Sequence, residues 1–131
     1  MGDDSVVDEV RVLHADLAEW LGTAGATAAL ERFVGQLDGE FSMVTLEGQI
    51  ARYEELSAGL RGAGNAAPGV AIEITDIEVL HRTGDGVVVR FKEIHRSAGA
   101  EAARWTTAVL VADAAGRNGL RWRSVHETAI D

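Results

Sequence analysis

Glu93 and His95 stand two residues apart in the run VVVRFKEIHR, a spacing that carries chemistry if the backbone there is extended. Along a strand alternate side chains share a face, so residues i and i+2 lie roughly 7 Å apart on the same side. A carboxylate and an imidazole at that separation can share one small substrate or one water molecule, as a paired acid and base do. In an apolar cavity the Glu93 carboxyl is expected to resist ionisation, and the neighbouring carboxylate to favour a charged imidazole, bringing both groups toward neutral pH. The same pair can equally be a hydrogen-bonded tie that satisfies buried polar atoms at a strand end, and the residues alone leave both roles open.

Sorting the neighbouring strands by alternation enlarges the cluster. Val87, Val89 and Phe91 share the Glu93 and His95 face, with Val88, Arg90, Lys92, Ile94 and Arg96 opposite. In LRWRSVHET the same rule groups Leu120, Trp122, Ser124 and His126, and in RWTTAVLVA it groups Trp105, Thr107, Val109 and Val111. Placing the aromatics inward brings Trp105, Trp122, Ser124 and His126 to the pocket beside Glu93 and His95. The outer face then collects Arg90, Lys92, Arg96, Arg104, Arg121 and Arg123, a basic sheet surface able to meet a second subunit. His14, four residues from Val10 on the apolar side of the first helix, adds a polar group from above, and Tyr53 a hydroxyl. His14, Glu93, His95 and His126 are chemically suited to a metal, but their spacing follows no H-E-x-x-H pattern and no metal is expected.

The elements that hold these residues follow from periodicity. Val6, Val10, Leu13, Leu17, Trp20 and Leu21 recur at three- and four-residue steps, which predicts a helix over 5–21, with Ser5 and Asp8 as its capping box and Gly22 as its left-handed end. A short helix is predicted over 27–36, a strand over 41–46, and a third helix carrying Ile50, Tyr53, Leu56 and Leu60. The stretch RGAGNAAPG is loop composition. Its G-x-G-x-x-A pattern follows a helix and precedes β-type residues, the reverse of a dinucleotide fingerprint, so no cofactor is expected. From Gly69 onward, β-branched runs separated by short turns predict an antiparallel meander. Helices first and strands last give an α+β fold, a long N-terminal helix and two shorter ones packed on one face of a curved antiparallel sheet.

Composition limits the partners. The chain has 131 residues, the length of one domain (1–131), and a formal net charge of −9 from 21 acidic and 12 basic residues. That balance argues against nucleic acid or anionic lipid as a partner. It contains no cysteine, which removes disulfides and thiolate chemistry. No apolar run reaches membrane-spanning length and the acidic N-terminus is no signal sequence, so a soluble, cytoplasmic protein is expected. No nucleophile elbow, Walker loop or calcium loop is present.

VLHADLAEWL, FSMVTLEGQ, RWTTAVLV and the closing WRSVHET, taken in order, resemble the nuclear transport factor 2-like superfamily. Within it they look like the 4440 domain-of-unknown-function group, relatives of the SnoaL-like proteins. The resemblance implies a cone, three helices folded against a strongly bent sheet around a cavity, commonly a homodimer through the sheet. It also implies two function classes: acid–base isomerases, dehydratases or cyclases acting on small apolar molecules, and non-catalytic association or ligand-binding modules. The aspartate base of the steroid isomerases falls near the first strand, where this chain has Phe41, Ser42 and Met43. Glu93 and His95 are the proton-handling candidates in its place, with His14, Tyr53, Trp105, Trp122, Ser124 and His126 as candidate ligand contacts.

Overall fold

The computed structural model describes residues 2–131. Helix α1 spans Asp3–Gly22 and buries Val6, Val10, Leu13 and Trp20 along one stripe. It begins two residues before the expected capping box: Gly2 occupies the N-cap without a side-chain cap, and Asp3 and Asp4 complement the positive end of the helix dipole. At its other end the small-residue loop acts as a cap. Backbone N–H groups of Asn65, Ala67 and Gly69 donate to the carbonyls of Trp20, Leu21 and Gly22 at 3.0, 2.9 and 3.0 Å. Gly22 is therefore needed for closeness and not for left-handed backbone, since a Cβ there would lie 3.1 Å from the Val70 nitrogen.

Helix α2 (Thr27–Gly35) leads into strand β1 (Leu37–Val44), which starts four residues earlier than predicted. Ile50 belongs to a three-residue strand β2 (Ile50–Arg52), exposed and outside the helix expected to carry it. Helix α3 (Tyr53–Arg61) starts only where the Glu55 side chain can accept a hydrogen bond from the Arg52 backbone N–H, at 3.0 Å. The meander follows as β3 (Ala71–Thr83), β4 (Gly86–Ser97), β5 (Ala100–Ala112) and β6 (Leu120–Ile130), with a 3-10 turn at Arg117–Gly119.

The six strands form one sheet in the order β2-β1-β6-β5-β4-β3. The four meander strands pair antiparallel, whereas β1 lies parallel to β6, which makes the sheet mixed. Register shifts interrupt β1, β3 and β6. Such extra residues bend a strand and increase its twist, and they curve this sheet around the helices. Phe91, Val89, Leu110, Leu120 and Trp122 on the concave side meet Val6, Val10 and Leu13 of α1 and Leu30 of α2 in one apolar core. Among the described residues no helix is long and apolar enough to cross a membrane.

Candidate functional site

A cavity of about 130 Å³ lies between the helices and the concave face of the sheet. Leu13 and Leu17 of α1, Phe33 of α2, and Leu56 and Leu60 of α3 form one wall. Leu37, Phe41 and Met43 of β1 with Trp122 and Val125 of β6 form the other. Four polar residues, His14, Glu93, Thr106 and Glu127, complete the lining.

Glu93 is the hub of the polar end and is only 3 % exposed. Its Oε1 accepts from His95 Nε2 at 3.0 Å, its Oε2 accepts from Thr106 Oγ1 at 2.7 Å, and His14 Nε2 lies 3.5 Å from Oε2. His14 Nδ1 sits 2.7 Å from the Val10 carbonyl, which can only accept, so Nδ1 carries a proton. Nε2 faces a carboxylate and carries one as well, which makes His14 an imidazolium paired to an ionised Glu93. Phe91 and Trp122 meet the His14 ring edge-on, with centroids 5.2 and 6.0 Å away, and hold its orientation.

Burial alone would push the Glu93 carboxyl up and the His14 imidazole down. For Glu93, the charge of His14 and the hydrogen bonds from His14, His95 and Thr106 outweigh burial and hold the carboxyl well below its ordinary range. For His14, the charge and hydrogen bond of Glu93 and the Val10 carbonyl outweigh burial and raise the imidazole. The expectation of a reluctantly ionised Glu93 is therefore reversed: the three donors around it favour its ionised form.

Alternation within one strand holds, so Glu93 and His95 share the concave side. His95 sits behind the cavity lining, its ring tied to Glu93. His14 and Trp122 reach the cavity wall; the indole N–H of Trp122 is turned away, donating to Glu9 Oε2 at 2.9 Å. Trp105, Ser124 and His126 are elsewhere. Phe91 pairs with Thr106, and Glu93 with Arg104, so Thr106 and Arg104 face inward and Trp105 points out, 40 % exposed. On β6 the register skips Arg123: Leu110 pairs with Trp122 and Val109 with Ser124. This extra residue reverses the alternation. Beyond it Val125 and Glu127 face the cavity, while Ser124 and His126 join Val109 and Thr107 on the outer face. Tyr53 borders a separate surface cleft with Arg52, Glu54, Glu55 and Arg123.

Glu127 is thus the cavity residue that alternation from Leu120 places on the wrong side. Its Oε2 accepts from Arg104 Nη1 at 3.3 Å. Burial, and then the charge of Glu93, push its carboxyl up, against the opposing pull of Arg104. A second polar cluster also escaped the sequence reading. Glu9, fully buried, accepts from Gln36 Nε2 (2.9 Å), Trp122 Nε1 (2.9 Å), Arg117 Nε (2.8 Å) and Nη2 (3.0 Å), and Asn118 Nδ2 (3.2 Å). The signal was present, since Glu9 falls three residues after Val6 and four before Leu13 on the apolar stripe. Its role is to pin α1 to the turn before β6.

The outer sheet face is not a free basic surface. Arg90 is paired to Glu78 at 2.9 Å, Arg96 to Glu73 at 2.8 Å, and Arg121 to Asp113 at 2.9 Å, while Arg104 faces inward. Arg123 Nη1 donates to the Glu40 carbonyl at 2.8 Å. Among the described residues Lys92 stands on that face without such a pair, and the residues exposed there include the apolar Trp105 and Val109, at 40 and 36 %.

Comparison with known proteins agrees on the architecture. The chain is similar to an NTF-2-like protein of unknown function from Pseudomonas aeruginosa, with 31 % identity over 97 % of this chain and 99 % of that one, at a TM-score of 0.88. It superposes on the CaMKII hub of S. rosetta with a TM-score of 0.76 and 18 % identity, over 97 % of this chain and 95 % of the other. An NTF2-like protein of unknown function in nutrient uptake from Rhodospirillum rubrum matches at 0.67 and 16 % identity, over 93 and 98 %. No protein-family model matches the sequence, and no curated protein does.

Proposed function

The chain belongs to the nuclear transport factor 2-like family, and on that premise we propose that it binds one small, largely apolar molecule in the cavity between its helices and sheet. The observation that carries this reading is the cavity itself, about 130 Å³ of space with apolar walls and a polar end organised around buried Glu93. A dry apolar cavity of roughly 150 Å³ suffices to hold benzene. A few convergent polar groups in an apolar hollow are the usual makings of a ligand site. His14 and Trp122 serve as contacts along the wall, and Glu93 with His95 as the fixed polar end. The geometry favours binding over proton transfer at Glu93, because a base held by three donors must first give them up.

A Val125→Trp substitution tests the reading by filling the cavity from β6. Small aromatic and alicyclic fragments that raise the melting temperature of the wild type are expected to lose that effect in the folded variant. Fragments that act equally on both proteins bind elsewhere and overturn the proposal.

A second reading rests on a different observation. The exposed Trp105 and Val109 share the convex face of β5 on either side of Thr107, and the likeness to a kinase hub supports self-association of this fold. We propose a homodimer through that face, made by apolar contact and not by the charge pairing expected from the arginines, which are already engaged within the chain.

A further inference from the structure

The polar end of the cavity is electrically closed. His14 and His95 answer Glu93 at 3.5 and 3.0 Å, and Arg104 answers Glu127 at 3.3 Å, so each carboxylate already has its partners within the chain. A ligand cation finds no unpaired carboxylate there and a ligand anion meets two carboxylates in the lining, and taking an ion out of water into such a place without a partner is costly. Hydrogen-bonding capacity is distributed unequally between the two acids. Both oxygens of Glu93 accept from the chain, from His95, Thr106 and His14. Glu127 lines the cavity with Arg104 as its hydrogen-bond partner, on Oε2. Among the described residues its Oε1 accepts no hydrogen bond and is free for a guest.

Resting on the cavity reading above, we infer that the guest is an uncharged, roughly benzene-sized molecule carrying one hydroxyl, and that Glu127 is the residue that selects it. The size follows from the volume of about 130 Å³. The hydroxyl follows from Glu127, which lines the cavity with a single hydrogen-bond partner among the described residues, on Oε2, and whose carboxyl is also pushed up by burial and the neighbouring Glu93 charge. Such a carboxyl accepts when ionised and donates when protonated, and a hydroxyl is the smallest head group that answers both. A ligand carboxylate adds a negative charge beside two others, an ammonium finds both carboxylates already paired, and a hydrocarbon leaves Glu127 with Arg104 alone.

Four ring compounds separate these cases: phenol, toluene, benzoate and benzylamine, titrated at neutral pH against the whole chain by calorimetry. Phenol is expected to bind about tenfold more tightly than any of the others, the effect of one hydrogen bond to a charged or charge-sharing group. In Glu127→Leu that preference over toluene is expected to vanish while toluene binding persists; Glu127→Gln, which keeps a donor and an acceptor, is expected to retain most of it. Circular dichroism checks that the variants fold, and the wild-type ranking with Glu127→Gln decides if the leucine variant does not. Toluene, benzoate or benzylamine matching phenol, or an unchanged phenol preference in Glu127→Leu, overturns the inference and leaves the cavity reading standing. No binding by any of the four to the wild type overturns both.

Discussion

Glu93 and His14 form a buried ion pair whose two members are shifted in opposite directions on folding, and this gives the protein a distinctive dependence on pH. Glu93 has its carboxyl lowered on folding, so its stabilisation is present above the ordinary value of 4.5 and is lost as pH falls. His14 has its imidazole raised, so its stabilisation is complete below the ordinary 6.5 and is lost as pH rises through the higher folded value. The two together are worth most between those values. We expect the melting temperature to fall from pH 6.5 to 9 and His14→Gln to flatten that limb, although the variant is less stable throughout because Glu93 is left unpaired. An equally steep alkaline limb in the variant means that His14 is not the charged partner. At this scale the Glu93 and His95 pairing was legible because both residues sit on one uninterrupted stretch of strand. The His14–Glu93 pair needed a helix to be laid over that strand, and the Glu127–Arg104 pair needed two strands to be set in register.

Register is the property of the elements that decides the cavity lining. The β4–β5 hairpin aligns Phe91 with Thr106 and Glu93 with Arg104, and at the end away from its turn it brings Gly86 so close that a Cβ there would lie 2.3 Å from the Leu110 carbonyl oxygen. The backbone of Gly86 is not left-handed, so the demand for glycine there is one of space. Gly86→Ala is expected to cost roughly 1–3 kcal/mol, the range for forcing extra volume into a packed region. Denaturant unfolding checks it, and a loss below about 0.5 kcal/mol, the usual scatter of neutral surface changes, contradicts the close approach. The helical stripe of α1, the turn-separated strands and the loop after α3 were readable because each rests on local periodicity or composition. Ile50 was misplaced because an apolar residue three positions before Tyr53 fits a helical stripe as well as a short strand. Trp105, Ser124 and His126 were misplaced for a sharper reason: alternation gives two faces without saying which is inside, and the extra residue at Arg123 exchanges them partway along β6.

In the whole molecule, helices cover the concave side of the sheet and leave the convex side to its surroundings. That side carries Trp105 and Val109 among arginines already bound to glutamates of neighbouring strands. If the convex face joins two copies, light scattering will give a two-subunit mass at micromolar concentration, and Trp105→Glu will give one subunit by placing a charge in an apolar contact. A wild-type monomer, or a dimer untouched by the substitution, removes this face from assembly. The amino-acid sequence by itself determined the three helices and the closing meander, the α+β plan, the apolar stripe of α1 and the shared face of Glu93 and His95. Each depends on side chains a few positions apart, where backbone geometry sets the spacing. Only the tertiary structure decided which face of β5 and of the end of β6 turns inward, that His14 charges Glu93, and that Glu127 reaches the cavity. Those outcomes depend on strand register, one extra residue and the contacts of elements far apart in the chain, and no local pattern encodes them.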